Sequence, residues 1–142
     1  MKFKDYFSLK HIVFAVLLFA ILIPIALRDS NTQVKVNFGD ESFSIRSDRY
    51  SMSMNYADIE SVELAPLAEP GERLEDCFDD DIIRYGKWLN DVWGEYYITA
   101  DLDTSNCVVI QLHDGRTFVF SSKDNDQTAA LYDQLLAKLP TP

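Results

Sequence analysis

Seven carboxylates crowd one short stretch of this chain. Residues 69–81 read EPGERLEDCFDDD, with Arg73 as the one cation among them. Clustered carboxylates can hold Ca²⁺, which takes six to eight oxygen ligands. The spacing lacks the every-second-residue acids and the sixth-position glycine of an EF-hand loop. The stretch therefore reads as a solvated acidic loop, with no metal ligands assigned. Its members Glu72, Glu75, Asp76, Asp79, Asp80 and Asp81 form a candidate contact surface for a basic partner. Close by, residues 86–94 (GKWLNDVWG) hold both tryptophans, Trp88 and Trp93. Two indoles between glycines can make an exposed platform for a peptide or a sugar, or plug the end of a barrel. The plug is the preferred reading of the indoles, and the Trp88/Trp93 segment is, with the acidic loop, the expected partner surface.

Other chemistry is sparse. The two histidines are His11, at the start of an apolar run, and His113, beside a turn. There is no G-x-S-x-G, H-E-x-x-H or P-loop motif. Asp101 and Asp103 could act as an acid pair in hydrolysis, yet nothing in the sequence distinguishes them from ordinary loop acids. Met52 and Met54 have the spacing of one strand face, which reads as core filling. Cys77 and Cys107 have 29 residues between them. Outside the cytoplasm they can form a disulfide closing that loop; two free thiols are the alternative. No catalytic residue, cofactor or metal site is assigned.

Charge and length narrow the classes further. The 142 residues suit one domain of ordinary size. With 13 Lys and Arg against 23 Asp and Glu, the net charge is −10. A nucleic-acid binder needs a basic patch, and so does a domain docking on anionic headgroups. Residues 12–27 (IVFAVLLFAILIPIAL) are unbroken apolar sequence, about 24 Å long as a helix. That is slightly short of the roughly 30 Å hydrocarbon core. Lys10 and Arg28 can extend their stems to the headgroups. A core helix would keep one polar face, and this run has none. Lys2, Lys4 and Lys10 make a basic start, but no A-x-A cleavage site follows. An uncleaved signal anchor is expected. The positive-inside rule then places the N-terminus in the cytoplasm and the remaining chain outside it. The organisation reads as tail 1–10, transmembrane signal anchor 11–28, linker 29–33 and folded domain 34–139.

The elements that must position these residues are mostly strands. Val34, Val36 and Phe38 alternate with polar residues, as do Phe43 and Ile45, then Tyr50, Met52, Met54 and Tyr56. A period of two predicts half-buried strands, here a three-stranded meander. Residues 57–60 read as one helical turn, and 61–66 as a fourth strand with Val62 and Leu64 inward. Residues 95–101 make a fifth strand, rich in aromatic and β-branched side chains. Residues 108–113 and 116–120 flank Asp114-Gly115, the signature of a hairpin with a two-residue type I′ turn. His113 is expected exposed there. Asp124 then caps a helix, with Gln127 as capping-box partner. Leu131, Tyr132, Leu135, Leu136 and Leu139 form its apolar stripe.

Seven strands and a C-terminal helix resemble a pleckstrin-homology-like (PH-like) domain. More closely, residues 50–139 resemble bacterial PH-like domains found beside membrane helices. The resemblance is carried by Tyr50-Ser51-Met52, by Ile59-Glu60-Ser61-Val62-Glu63-Leu64 and by Gly71-Glu72-Arg73. It continues through Gly86-Lys87-Trp88 to Gly94, and from Val108-Val109-Ile110 to Asp114-Gly115-Arg116-Thr117-Phe118-Val119-Phe120. It implies an α+β, mostly β fold: a seven-stranded, partly open barrel of two antiparallel sheets, capped by the helix and preceded by one transmembrane helix. It brings no catalytic residues and no agreed ligand. Phosphoinositide-binding PH domains use a basic pocket in the first strand loop. The matching turn here, Gly39-Asp40-Glu41, is acidic, so such binding is not implied. The expected function is a membrane-anchored, non-catalytic protein- or peptide-binding module, acting as sensor or accessory subunit. Alternatives are an acid-residue hydrolase with a divalent cation and a self-associating structural protein of the envelope, a homo-oligomer.

Overall fold

A computed structural model describes residues 12–20 and 34–140. The chain forms two compact units, Met1–Thr32 and Gln33–Pro142. In the first unit, residues 12–20 form a helix, α1, and all nine residues are exposed. Tail 1–10, His11, the remainder of the expected anchor and linker 29–33 lie outside the described residues. Among the described residues, no helix is long and apolar enough to cross a membrane.

The second unit is mostly β, with two open sheets and a C-terminal helix. The strands are β1 (Lys35–Phe38), β2 (Ser42–Arg46), β3 (Ser51–Asn55), β4 (Ile59–Pro66), β5 (Glu72–Asp79), β6 (Ile83–Asn90), β7 (Gly94–Asp101), β8 (Asn106–Leu112) and β9 (Thr117–Ser121). A 3₁₀ turn, Tyr56–Asp58, joins β3 to β4, and helix α2 spans Asn125–Lys138. β1, β2 and β3 form the expected antiparallel meander. Its register sets Phe43 opposite Met54 and Ile45 opposite Met52, and all four are buried. The methionines thus fill core, as their alternation predicts.

The larger sheet has the order β4-β8-β9-β7-β6-β5. It departs from the sequence reading in three ways. The described residues form nine strands, not seven, because residues 72–79 and 83–90 are extended and paired. The sheets are not both antiparallel: the β8–β9 hairpin inserts between β4 and β7, and β9 runs parallel to β7. The hairpin turn is also not type I′. Gly115 N–H donates to Leu112 O at 3.0 Å, so His113 and Asp114 are the central residues. Only Gly115 takes positive φ there, at 92°. This is a type I turn followed by a left-handed bulge glycine, another favoured hairpin connection. Asp114 stabilises it by accepting from Arg116 N and Nε at 3.0 and 2.8 Å. His113 is exposed, as expected.

The sheet buries both of its faces. Val108, Ile110, Leu112, Phe118 and Phe120 face the small sheet and α2 in the main core, with Leu131 and Leu135 of the helix. Val109, Val119, Ile98, Ala100, Cys107, Tyr96 and Trp88 form a second core on the other face. Burial on both faces explains the near-continuous apolar runs of β8 and β9. At the β4 edge Val62 is half-buried, but Leu64, expected inward, is 37% exposed.

The strand order also forces curvature. β4 and β5 are opposite edges, yet residues 67–71 alone connect them. Laid flat, the edges would stand roughly 24 Å apart at about 4.8 Å per strand spacing. The connection reaches about 20 Å fully stretched. The sheet must curl, and the link passes over the second core, where Tyr96 Oη donates to Pro70 O at 2.7 Å.

Helix α2 begins as predicted: Asp124 accepts from Gln127 N at 2.8 Å. The reciprocal half of the capping box is replaced by the backbone, since Asp124 N donates to Ser122 O at 2.7 Å.

Candidate functional site

The acidic stretch is an edge strand. β5 pairs only with β6, and specific contacts hold it there. Arg73 lies over the Trp88 ring at 5.3 Å, Phe78 stacks on Tyr85 at 5.2 Å, and Arg84 Nε meets Asp79 Oδ1 at 3.2 Å. Cys77 turns toward the second core, and its thiol donates to Lys87 O at 2.8 Å. The register shifts twice, between Arg73 and Glu75 and between Glu75 and Phe78. At the second shift Asp76 is left-handed, with φ 51°. The chain accommodates this with Gly86 on β6. A Cβ there would lie 2.6 Å from Asp76 O and 2.7 Å from Cys77 Cα. Bulge and glycine are a matched pair.

The six candidate acids are therefore spread along one edge and do not converge. Glu72 stands opposite Leu89 and Glu75 opposite Lys87, while Asp79 pairs with Arg84. Asp80 folds the β5–β6 turn, accepting from Ile82 N and Ile83 N at 2.8 and 2.7 Å. Asp76 and Asp81 are exposed. Among the described residues, no group of three His, Cys, Asp or Glu side chains could hold a metal ion.

The tryptophans form no open platform. Trp88 is 2% exposed and its indole N–H donates to Tyr85 O at 3.1 Å. Trp93 is half-buried, edge-on to Tyr96 at 5.0 Å. Both pack against the second core, and buried Trp88 is not available as the partner surface expected of it.

Beside them the structure holds a cleft that the sequence did not reveal. It measures about 700 Å³ and lies between the β4–β5 link and the β6–β7 turn. The link supplies Ala68, Glu69 and Gly71, with Glu72 beginning β5; the other wall is Leu89, Asn90, Asp91 and Val92. Its walls are tied together. Asn90 Nδ2 donates to Glu69 O at 3.0 Å, and its Oδ1 accepts from Val92 N and Trp93 N at 3.1 and 2.7 Å. Gly71 presses so close to Leu89 that a Cβ would meet its carbonyl oxygen at 2.0 Å. Burial pushes the Tyr96 phenol up to about 12, so it remains a neutral donor to Pro70. Leu89 is 38% and Val92 68% exposed.

The remaining candidates have structural surroundings. Asp101 is 5% exposed, and its Oδ2 accepts from Val34 N at 3.2 Å and Lys123 N at 2.7 Å. Burial raises its pKa, against the lowering effect of those two bonds; the Asp103 charge raises it a little more. Asp103 itself is exposed. Asp101 is thus a clamp on the first residue of the fold, completed by Ser122 Oγ donating to Val34 O at 2.6 Å. Cys77 and Cys107 are free thiols packed against the same core. Burial pushes the Cys107 thiol up to about 12.

These features define a class: a mostly β domain of two open sheets with a C-terminal helix, an acidic edge strand and a neighbouring cleft. The chain matches no protein-family model, no curated protein and no solved structure.

Proposed function

We propose that this chain is a membrane-anchored binding module. A single N-terminal helix in the membrane carries a PH-like domain outside the cytoplasm, and that domain recognises a protein or peptide rather than catalysing a reaction. The observation that carries the reading is α1. Its large side chains, from Ile12 to Phe19, are 48–67% exposed. Soluble surfaces rarely hold such contiguous apolar area, and lipid would remove it from water. The PH-like assignment is supported by the two β-sheets and by a C-terminal helix packed on β8 and β4. Binding is supported by the acidic edge and the cleft beside it.

The alternatives draw less support. In the hydrolase reading, Asp101 would have to reach substrate, and it is 5% exposed with its Oδ2 held by two backbone N–H groups. In the self-association reading, sheet edges would pair. β5 carries outward acids, two register shifts and a left-handed residue, and β4 ends at Pro66; such features blunt edges.

Photo-crosslinking amino acids placed at Glu75, at Val92 and, as control, at Leu136 on α2 test the proposal in cells expressing the full chain. Fractionation comes first, and the chain should stay with membranes through alkaline extraction. Discrete adducts are expected from Glu75 and Val92 but not from Leu136. Extraction by alkali, or the same adducts from all three positions, would reject the reading.

A further inference from the structure

The cleft has a composition that surface turns usually avoid. A turn tip is normally polar, yet Val92 is 68% exposed and Leu89 beside it is 38% exposed. With these two apolar side chains the cleft is lined by three acidic residues, Glu69, Glu72 and Asp91. No ion pair involves any of them among the described residues. The nearby cations are committed elsewhere: Arg73 over Trp88, Arg84 to Asp79 and Lys87 to Glu95. The walls are held by the Asn90 and Tyr96 bonds and by the tight Gly71–Leu89 contact. A cleft built this way exists before any ligand arrives, which reduces the ordering cost of binding. Its volume of about 700 Å³ lies within the range of ligand pockets.

An occupant must match two things, an apolar floor and an anionic rim. A lysine side chain has both features: an apolar four-carbon stem and a compact cationic head. We propose that this cleft is the recognition site for a lysine-bearing protein segment, with the lysine stem on Leu89 and Val92 and its ammonium among Glu69, Glu72 and Asp91. The inference deepens the binding-module reading and rests on it, since it names the partner chemistry at one end of the acidic edge. The net charge of −10 raises the encounter rate with any cation. The apolar floor is what separates a lysine from other cations.

The test uses the full chain in zwitterionic phosphatidylcholine nanodiscs and a fluorescein-labelled peptide alternating lysine with alanine, read by anisotropy. Saturable binding is expected. Replacing lysine by acetyl-lysine keeps the stem and removes the charge. Replacing it by 2,4-diaminobutyrate keeps the charge and removes two methylenes. Each should weaken binding at least about tenfold. On the protein, E72K/D91K should weaken the lysine peptide about tenfold or more, and the milder E69Q/E72Q/D91N guards against a folding defect. E60K/D133K makes the same change in net charge at exposed sites remote in sequence from the cleft, and should have little effect. No saturable binding would overturn the proposal. So would equal binding of the diaminobutyrate peptide, or equal loss from the two charge-reversal variants, either of which would mean unspecific electrostatics. A crosslink at Val92 that persists while the lysine peptide fails to bind would retain the module and reject lysine as its ligand.

Discussion

The Asp101 clamp gives a prediction whose sign and size follow from the structure. Asp101 Oδ2 satisfies two backbone N–H groups, those of buried Val34 and exposed Lys123. Replacing Asp101 by Ala leaves both without their partner. An unsatisfied buried donor costs about 1–3 kcal/mol, and water can partly rescue Lys123, so Asp101→Ala should cost about 2–4 kcal/mol. Asp101→Asn keeps one oxygen for both bonds and should cost about 1 kcal/mol. The pH dependence separates the two effects. Burial raises the folded-state pKa of Asp101 above its ordinary value near 3.8. The folded state therefore holds the proton more tightly than the unfolded chain. The stability this brings is fully present below the unfolded pKa and is lost as pH rises through the folded pKa. The advantage of wild type over Asp101→Asn should shrink from about pH 4 upward. Urea unfolding of the full chain in detergent micelles, followed by tryptophan fluorescence between pH 4 and 7, measures it. The clamp is refuted if Ala and Asn cost the same, or if the wild-type advantage grows with pH.

Two further perturbations probe the edge strand and the second core. Gly86→Ala forces a Cβ onto the backbone of the β5 bulge, at φ 113°. It should destabilise the domain by about 1–3 kcal/mol from backbone strain alone, and hydrogen exchange should show residues 72–79 deprotected while β8 and β9 stay protected; unchanged exchange in β5 would refute the matched pair. For the thiols, N-ethylmaleimide at pH 8 should label Cys77 in the folded chain and leave Cys107 unmodified, because Cys107 is buried with its thiol pushed up to about 12. Both should react in urea. Equal native rates would contradict the burial, and failure of both to react without reductant in urea would establish the disulfide instead.

Much of this fold is legible locally, and its omissions have physical causes. β1, β2 and β3 show the period of two because each has one buried and one open face. The capped helix carries its own start signal in Asp124. β5 is hidden because it is an edge: water and charge are tolerated along it, so apolar alternation gives way to Glu72, Glu75, Asp76 and Asp79. Its partner β6 is hidden because Gly86 reads as punctuation, although it is there to admit the backbone of β5. The parallel β7–β9 pairing joins residues 97–100 to 118–121, and no local pattern encodes a neighbour twenty residues away. The hairpin shows a finer limit. Asp114-Gly115 announces a turn, but the same dipeptide serves both the type I′ turn and the bulged alternative, and here the Asp114–Arg116 contacts accompany the second. The cleft is the least legible feature of all. Its two walls, 68–72 and 89–92, meet where the link enters β5 opposite the end of β6, and that pairing is itself hidden in the sequence.

That placement bears on why the chain is so acidic. The apolar content sits in the middle of the large sheet, in β7, β8 and β9, which are buried on both faces, while much of the negative charge lies along β5 and its turn. Acids on an exposed edge keep sheets from pairing and need no ligand to explain them. Protection alone would favour polar side chains throughout this end of the domain. It does not account for Leu89 and Val92, two apolar side chains left open beside Glu69, Glu72 and Asp91 on walls held by Asn90 and Tyr96. A solvated face has no use for a rigid apolar floor, whereas a surface that receives a cation on an apolar stem needs both. On the proposed reading, the acids of β5 beyond the cleft serve as edge protection and electrostatic steering, while specificity lies where charge and exposed hydrocarbon meet in the cleft.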